Sequence, residues 1–269
     1  MSGKVAVLNF DQTLCSQPHF LQPAFEWIEL SDIGQTNGYC SKDSLREIGS
    51  RLQKRRNRGV TLIGRGNYHY VSYLLTSELS VPFTLVLFDY HSDMMETPDD
   101  MHISCGSWVL EAIRRLPHLR KVLLIGVSEA GLKQMPGDVR AKVLAYPNDN
   151  VNESESGIRS LVSNIPTDTV YISIDKDVLN PSEAVTDWEQ GRFSLRFMVR
   201  ILEAIAKAKR VAGVDICGEY PITPAHIYRN EMRQASRINE RANRYLAERA
   251  VQWMSETVPS GHPVHRSAG

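Results

Sequence analysis

Thr84-Leu85-Val86-Leu87-Phe88-Asp89-Tyr90-His91-Ser92-Asp93 is an apolar run that ends in ionisable groups spaced two residues apart. Residues 84–88 have the composition of a strand buried on both faces. Side chains alternate along a strand, so Asp89, His91 and Asp93 are expected on one side. Ile172-Ser173-Ile174-Asp175-Lys176-Asp177 repeats the form, with acids at i and i+2. Working outward, residues 5–9, 61–64, 122–127, 143–146, 170–174 and 211–216 also read as strands. Helical patterns fall between them at 70–79, 108–115, 157–162 and 194–208. This alternation predicts a mainly parallel sheet with helices on both faces. The turn-rich segment 147–156 reads as a surface loop rather than a linker, so residues 1–269 are taken as one domain.

The chain has 269 residues, 42% of them hydrophobic, enough to build a sizeable core. Its 31 basic and 31 acidic residues balance, so nothing in the overall charge points to a nucleic acid or another polyanion. The basic run at 51–58 reads as a solvated helix end. Cys15, Cys40, Cys105 and Cys217 are scattered and form no disulfide or zinc-finger spacing. No signal peptide and no bilayer-length apolar stretch is found, so the expectation is a cytoplasmic protein without a membrane partner. Residues 224–256 read as a long helix, with Tyr228, Met232, Ala235, Ile238, Ala242, Tyr245 and Trp253 as its apolar stripe. That stripe suits packing on the sheet or a homo-oligomer contact. Pro259, Gly261 and Pro263 mark a loose tail.

In an open parallel sheet, ligands sit beyond the carboxyl ends of the strands. Both acidic clusters fall at such ends, and His69 lies five residues past the strand 61–64. His69, Asp89, His91, Asp93, Asp175 and Asp177 are therefore the candidate metal ligands. Converging carboxylates repel and raise one another's pKa. Two divalent cations would neutralise these four, with two imidazoles completing the shells. An oxygen-rich site with some imidazole suits Mn²⁺ or another first-row ion, and no cysteine is assigned to it.

At these motifs the chain resembles the arginase/agmatinase ureohydrolases. The matching elements are Asp89-Tyr90-His91-Ser92-Asp93, Ser173-Ile174-Asp175-Lys176-Asp177 with Leu179-Asn180-Pro181 after it, and Gly66-Asn67-Tyr68-His69. The resemblance spans residues 61–221 and implies a three-layer α/β/α arginase-like fold holding two Mn²⁺ ions. It implies that His69, Asp89, Asp93 and Asp175 hold one ion. Asp89, His91, Asp175 and Asp177 would hold the other, with Asp89 and Asp175 as bridges. It further implies a metal-activated hydroxide that attacks a guanidino or amidine carbon, which makes Asp89 and Asp175 catalytic. His102, followed by Gly106, is the expected proton shuttle. The family commonly forms trimers or hexamers, which implies a homo-oligomer.

Substrate recognition departs from the family pattern. The loop Thr186-Asp187-Trp188-Glu189-Gln190-Gly191 replaces a Thr- and Gly-rich one, leaving Thr186 and Asp187 as candidate substrate contacts. The family's Asp-x-x-Glu-x-x-Pro appears as Asp215-Ile216-Cys217-Gly218-Glu219-Tyr220-Pro221. Gly218 stands in the Glu position, and Glu219 comes one residue later. A bulge would restore Glu219 as the guanidinium contact, whereas a regular strand would turn it away. Three functions stay open: a ureohydrolase for a small guanidino substrate, a metal-dependent deacylase for an amide, and a non-catalytic ligand-binding regulator. An acidic residue aimed at a cation favours the first, and a narrow apolar channel the second.

Overall fold

Four strands are buried at every residue: β1 (Val5–Asn9), β4 (Val60–Gly64), β5 (Phe83–Phe88) and β9 (Thr169–Asp175). With β2 (Glu26–Glu29), β7 (Leu119–Val127), β8 (Val143–Pro147) and β10 (Arg210–Cys217) they form one eight-stranded sheet. Its order is β2-β1-β4-β10-β9-β5-β7-β8, and every neighbouring pair is parallel. A separate antiparallel pair joins β3 (Tyr39–Ser41) to β6 (His102–Ser104). The computed structural model describes residues 5–97, 102–222, 225 and 228–255.

Alternation along the strands sorts their side chains into two cores. Val5, Leu62, Val86, Phe88, Ile172 and Ile174 enter one. Ala6, Leu8, Ile63, Leu85, Leu87 and Leu124 enter the other. The first is covered by α5 (Glu155–Ser163), α6 (Leu195–Ala208) and α7 (Asn230–Ser255). The second is covered by α1 (Lys42–Gln53), α2 (Val71–Ser77) and α3 (Trp108–Arg115). The result is the three-layer α/β/α arrangement expected from the sequence. Helices α1, α5 and α6, together with the short α4 (Glu129–Gln134), each begin on a serine whose hydroxyl accepts a backbone N–H of the first turn.

Two expectations need correction. The C-terminal helix starts at Asn230, and Pro224 and the tail lie outside the described residues. Its buried face carries Ser236, Asn239, Asn243, Leu246 and Ala250, while Tyr228 is 82% exposed. Ala235, Ala242 and Trp253 of the expected stripe are buried on this face, but three polar side chains share it, so hydrophobic periodicity gave only part of it. The basic run 51–58 lies at the end of α1, as expected, and its arginines are paired: Arg51 with Asp32 and Glu47, Arg55 and Arg58 with Glu78, and Arg56 with Glu26. Among the described residues, no helix is long and apolar enough to cross a membrane.

Candidate metal centre

β4, β10, β9 and β5 are consecutive in the sheet, and the residues just past their carboxyl ends meet. A turn at Gly66–Tyr68 carries the chain from β4 to His69. β5 ends at Phe88, and Asp89 follows it directly. β9 ends on Asp175, and a 3-10 turn over Lys176–Val178 places Asp177 beside it. All six predicted donors come together, but strand alternation is not the cause at the first motif. Residues 89–93 form a turn in which Asp89 Oδ1 accepts the His91 N–H at 2.7 Å. Asp93 has a φ of +52°, a left-handed conformation uncommon outside glycine, and its carboxylate accepts from Trp108 Nε1 at 2.7 Å.

His69 is fully buried at the centre of this arrangement. Its Nε2 lies 2.9 Å from Ser173 Oγ, whose hydroxyl is committed to Asp215 Oδ1 at 2.6 Å. Ser173 therefore accepts from Nε2–H, and Nδ1 is left facing the carboxylates. Asp93 Oδ2, Asp89 Oδ2 and Asp175 Oδ2 stand 3.1, 3.4 and 3.6 Å from it. His69 Nδ1 and Asp89 Oδ2 are both buried without a hydrogen-bond partner. Beside them, His91 Nδ1 lies 2.8 Å from Asp177 Oδ2 and 3.6 Å from Asp89 Oδ1. Ligand atoms within 4.8 Å of one another occur in three trios: His69, Asp89 and Asp93; Asp89, His91 and Asp177; His69, Asp175 and Cys217.

Cys217 is the residue that sequence reasoning left out. It ends β10 beside β9, and its buried Sγ lies 3.2 Å from Asp175 Oδ2. Its place at a strand's carboxyl end, two residues after Asp215, was the available signal.

The electrostatics call for positive charge. Burial, then the charges of Asp175 and Asp89, hold the Asp177 carboxyl well above the usual range. Burial and the Asp89 charge push Asp93 up to about 7. Burial opposes charge on the His91 ring, but hydrogen bonds with Asp177 and Asp89 outweigh it and push its pKa up to about 12. Without metal, protons supply the missing charge. Oxygen-rich donors, two imidazoles and two unpartnered buried ligand atoms fit divalent cations in the protons' place.

Above the cluster opens a cavity of about 460 Å³. Tyr39, Met95 and Trp188 are exposed apolar side chains on its lining. The other sequence-predicted residues lie elsewhere. His102 belongs to β6 and lines a separate hollow with Lys42, Leu45 and Glu111, so it is not placed to act as shuttle at the cluster. Thr186 and Asp187 line no part of the cavity among the described residues. The Thr186 hydroxyl bonds the backbone of Trp188, and Asp187 pairs with Arg65 at 2.6 Å, so together they seat the tryptophan. Glu219 is buried, paired with Lys176, and accepts from Gln17 Nε2 at 2.7 Å and Asn243 Nδ2 at 2.6 Å. A register shift does occur at Ile216/Cys217, but Gly218 at φ +88° then turns Glu219 into that network rather than toward the cavity.

The sequence profile of the arginase family matches residues 5–238. The chain belongs to the arginase family. Enzymes of this family are hydrolases of guanidino or amidino C–N bonds that use a binuclear metal centre, and this member carries side-chain clusters able to hold metal. An uncharacterized protein of Thermotoga maritima is 34% identical over 161 residues, which are 60% of this chain and 58% of that one. The chain thus spans a little over half the length of that relative. Formimidoylglutamase from Bacillus subtilis superposes with a TM-score of 0.64 at 16% identity, covering 96% of this chain and 88% of its own. A hypothetical agmatinase from Burkholderia thailandensis gives 0.62 at 16%, covering 93% and 86%. Arginase from Bacillus caldovelox gives 0.58 at 15%, covering 89% and 97%. At these identities the likeness is one of fold.

Proposed function

We propose that this arginase-family member is a binuclear metal-dependent hydrolase cleaving a carbon–nitrogen bond in a small, non-peptide substrate. One observation carries the reading: two buried, unpartnered ligand atoms, His69 Nδ1 and Asp89 Oδ2, face each other at 3.4 Å within a ring of carboxylates. His69, Asp89, Asp93 and Asp175 would hold one ion, and Asp89, His91, Asp175 and Asp177 the other. When bound, Mn²⁺ or a similar ion supplies a Lewis acid and a water acidified toward neutral pH.

The chain's own residues do the positioning. Ser173 and Asp215 fix the His69 ring so that Nδ1 faces inward. Trp108 fixes Asp93. The backbone N–H groups of His91 and Asp177 hold Oδ1 of Asp89 and of Asp175, turning each Oδ2 toward His69. Such preorganisation keeps the donors from collapsing onto one another and lowers the cost of assembling the site. The substrate carbon would be presented from the cavity over the cluster, with the Trp188 side screening it from bulk water.

Elemental analysis of gently purified protein should find about two divalent ions per chain. Mn²⁺-loaded protein should release amine from some member of a panel of guanidino, amidine and amide compounds. Chelation should stop turnover and Mn²⁺ should restore it. Protein that holds two ions and hydrolyses no member would end the hydrolase reading and favour a ligand-binding regulator.

A further inference from the structure

β10 brings a sulfur to the candidate metal centre, beyond the six donors read from the sequence. Cys217 is the last residue of β10, and its register partner across the sheet is Asp175, the last residue of β9. The position after it is glycine at φ +88°, where a Cβ would collide with Asp175 Oδ1 and the Lys176 backbone nitrogen. Gly218 thus lets the tip of β10 close on β9, and the buried Cys217 side chain comes to rest against the Asp175 carboxylate.

Asp175 uses its two oxygens differently. Oδ1 accepts the Asp177 N–H at 3.0 Å. Oδ2 stands 3.2 Å from Cys217 Sγ and 3.6 Å from His69 Nδ1. An ion held tetrahedrally at about 2.3 Å from sulfur and about 2.0–2.1 Å from nitrogen and oxygen keeps its donors about 3.3–3.6 Å apart. The two measured separations match that spacing closely. His69, Asp175 and Cys217 also have ligand atoms within 4.8 Å of one another. A buried thiol often serves only as a small apolar filler. Two features set Cys217 apart from that role: its sulfur meets a carboxylate oxygen, and His69 Nδ1, which faces the same oxygen, is buried without a hydrogen-bond partner.

Resting on the metal-hydrolase reading above, we propose that Cys217 is a sulfur ligand to the ion that His69 and Asp175 hold. The sulfur–metal bond forms as the thiol proton passes to solvent. The two metal positions are then unequal. The one at His69 has a soft donor and selects Zn²⁺ or Co²⁺ over Mn²⁺. The one at His91 draws on the oxygens of Asp89 and Asp177 and accepts Mn²⁺.

The test uses full-length protein stripped of metal and reloaded with Zn²⁺, its zinc content measured. X-ray absorption at the zinc edge is expected to show a sulfur shell at about 2.3 Å beside the nitrogen and oxygen shell. Cys105 also lines the cavity and serves as the control. Cys105→Ser should keep the sulfur shell, and Cys217→Ser, folded by circular dichroism, should lose it. Cys217→Ser should also lower the ratio of Zn²⁺ to Mn²⁺ affinity by about 100-fold, read by competition with a chelating dye. Zinc with nitrogen and oxygen neighbours alone overturns the proposal and leaves the hydrolase reading standing. So does a sulfur shell that survives Cys217→Ser or vanishes in Cys105→Ser, or an unchanged affinity ratio. Should Cys217→Ser fail to fold, the spectra of the wild type and Cys105→Ser decide. A sulfur shell in protein that hydrolyses no member of the panel would sink the hydrolase reading and leave Cys217 a ligand. Protein that retains no ions overturns both.

Discussion

A buried cluster of acids and a single buried acid, Glu219, meet at the tip of β9, and they are neutralised in opposite ways. Asp175 and Asp177 turn toward the candidate metal centre, where His69 Nδ1 and Asp89 Oδ2 have no hydrogen-bond partner. Lys176, between them in sequence, turns the other way and meets Glu219, with Gln17 and Asn243 completing the hydrogen bonds. The second carries its own cation and is closed. The first sets only two imidazoles against four carboxylates, and in the reading proposed above it takes further positive charge from outside. Burial alone therefore does not mark a functional acid; an acid whose charge the protein leaves unanswered does.

The sharpest way to break this contrast is Asp89→Ala. Asp89 belongs to two of the ligand trios, so its loss should lower turnover by about 1,000-fold or more and cut the bound metal, with the fold retained by circular dichroism. Near-normal kinetics would remove Asp89 from the site. On the closed side, Lys176→Met leaves Glu219 charged, buried and unpaired. It should cost about 3–5 kcal/mol in denaturant unfolding. Replacing Glu219 by Leu as well should recover much of that loss, and a double variant as unstable as the single would show that the pair is not the unit.

Metal loading should act only on the open cluster. At a free Mn²⁺ concentration about 100 times its Kd, stability should rise by about 2.7 kcal/mol. Loading at pH 7 should also release about one proton or more per chain, because His91, with its pKa pushed up to about 12, and partly Asp93, at about 7, hold protons in the metal-free protein. The sign is fixed: these protons leave as the cation enters, so affinity rises with pH. A binding enthalpy that does not change with the ionisation enthalpy of the buffer would contradict this. The smallest effect expected is that of Ser173→Ala, which frees the His69 ring and should weaken metal binding about 10- to 100-fold by competition with a chelating dye. Unchanged affinity would mean that the ring is held by packing against Trp108 alone.

Much of this was legible in the sequence because the central strands are buried on both faces and so read as unbroken apolar runs. The six donors stood out because each lies at or beyond the carboxyl end of such a run. Other parts had no comparable signal. β2 is a four-residue edge strand, Glu26-Trp27-Ile28-Glu29, with acids at both ends. Helix α1 buries only Ile48 and Leu52. The buried face of α7 includes Asn239 and Asn243, which bond Val185 and the Glu219 network, and a hydrophobicity pattern places such residues outside. Glu219 was read one step from its role because a family pattern specifies a position, not the direction imposed by Gly218's positive φ. His102 resembled a shuttle by its sequence neighbours, but β6 pairs with β3 and carries it to another hollow.

The β3–β6 ribbon has a consequence of its own. It stands apart from the eight-stranded sheet, yet Tyr39 on one strand and Ser104 on the other reach the cavity wall. The donors descend from the great sheet, while part of the chamber's side is a small, separately paired panel. Selection or design could lengthen, shorten or recolour that panel and so retune which molecules are admitted, leaving the ion-holding floor untouched.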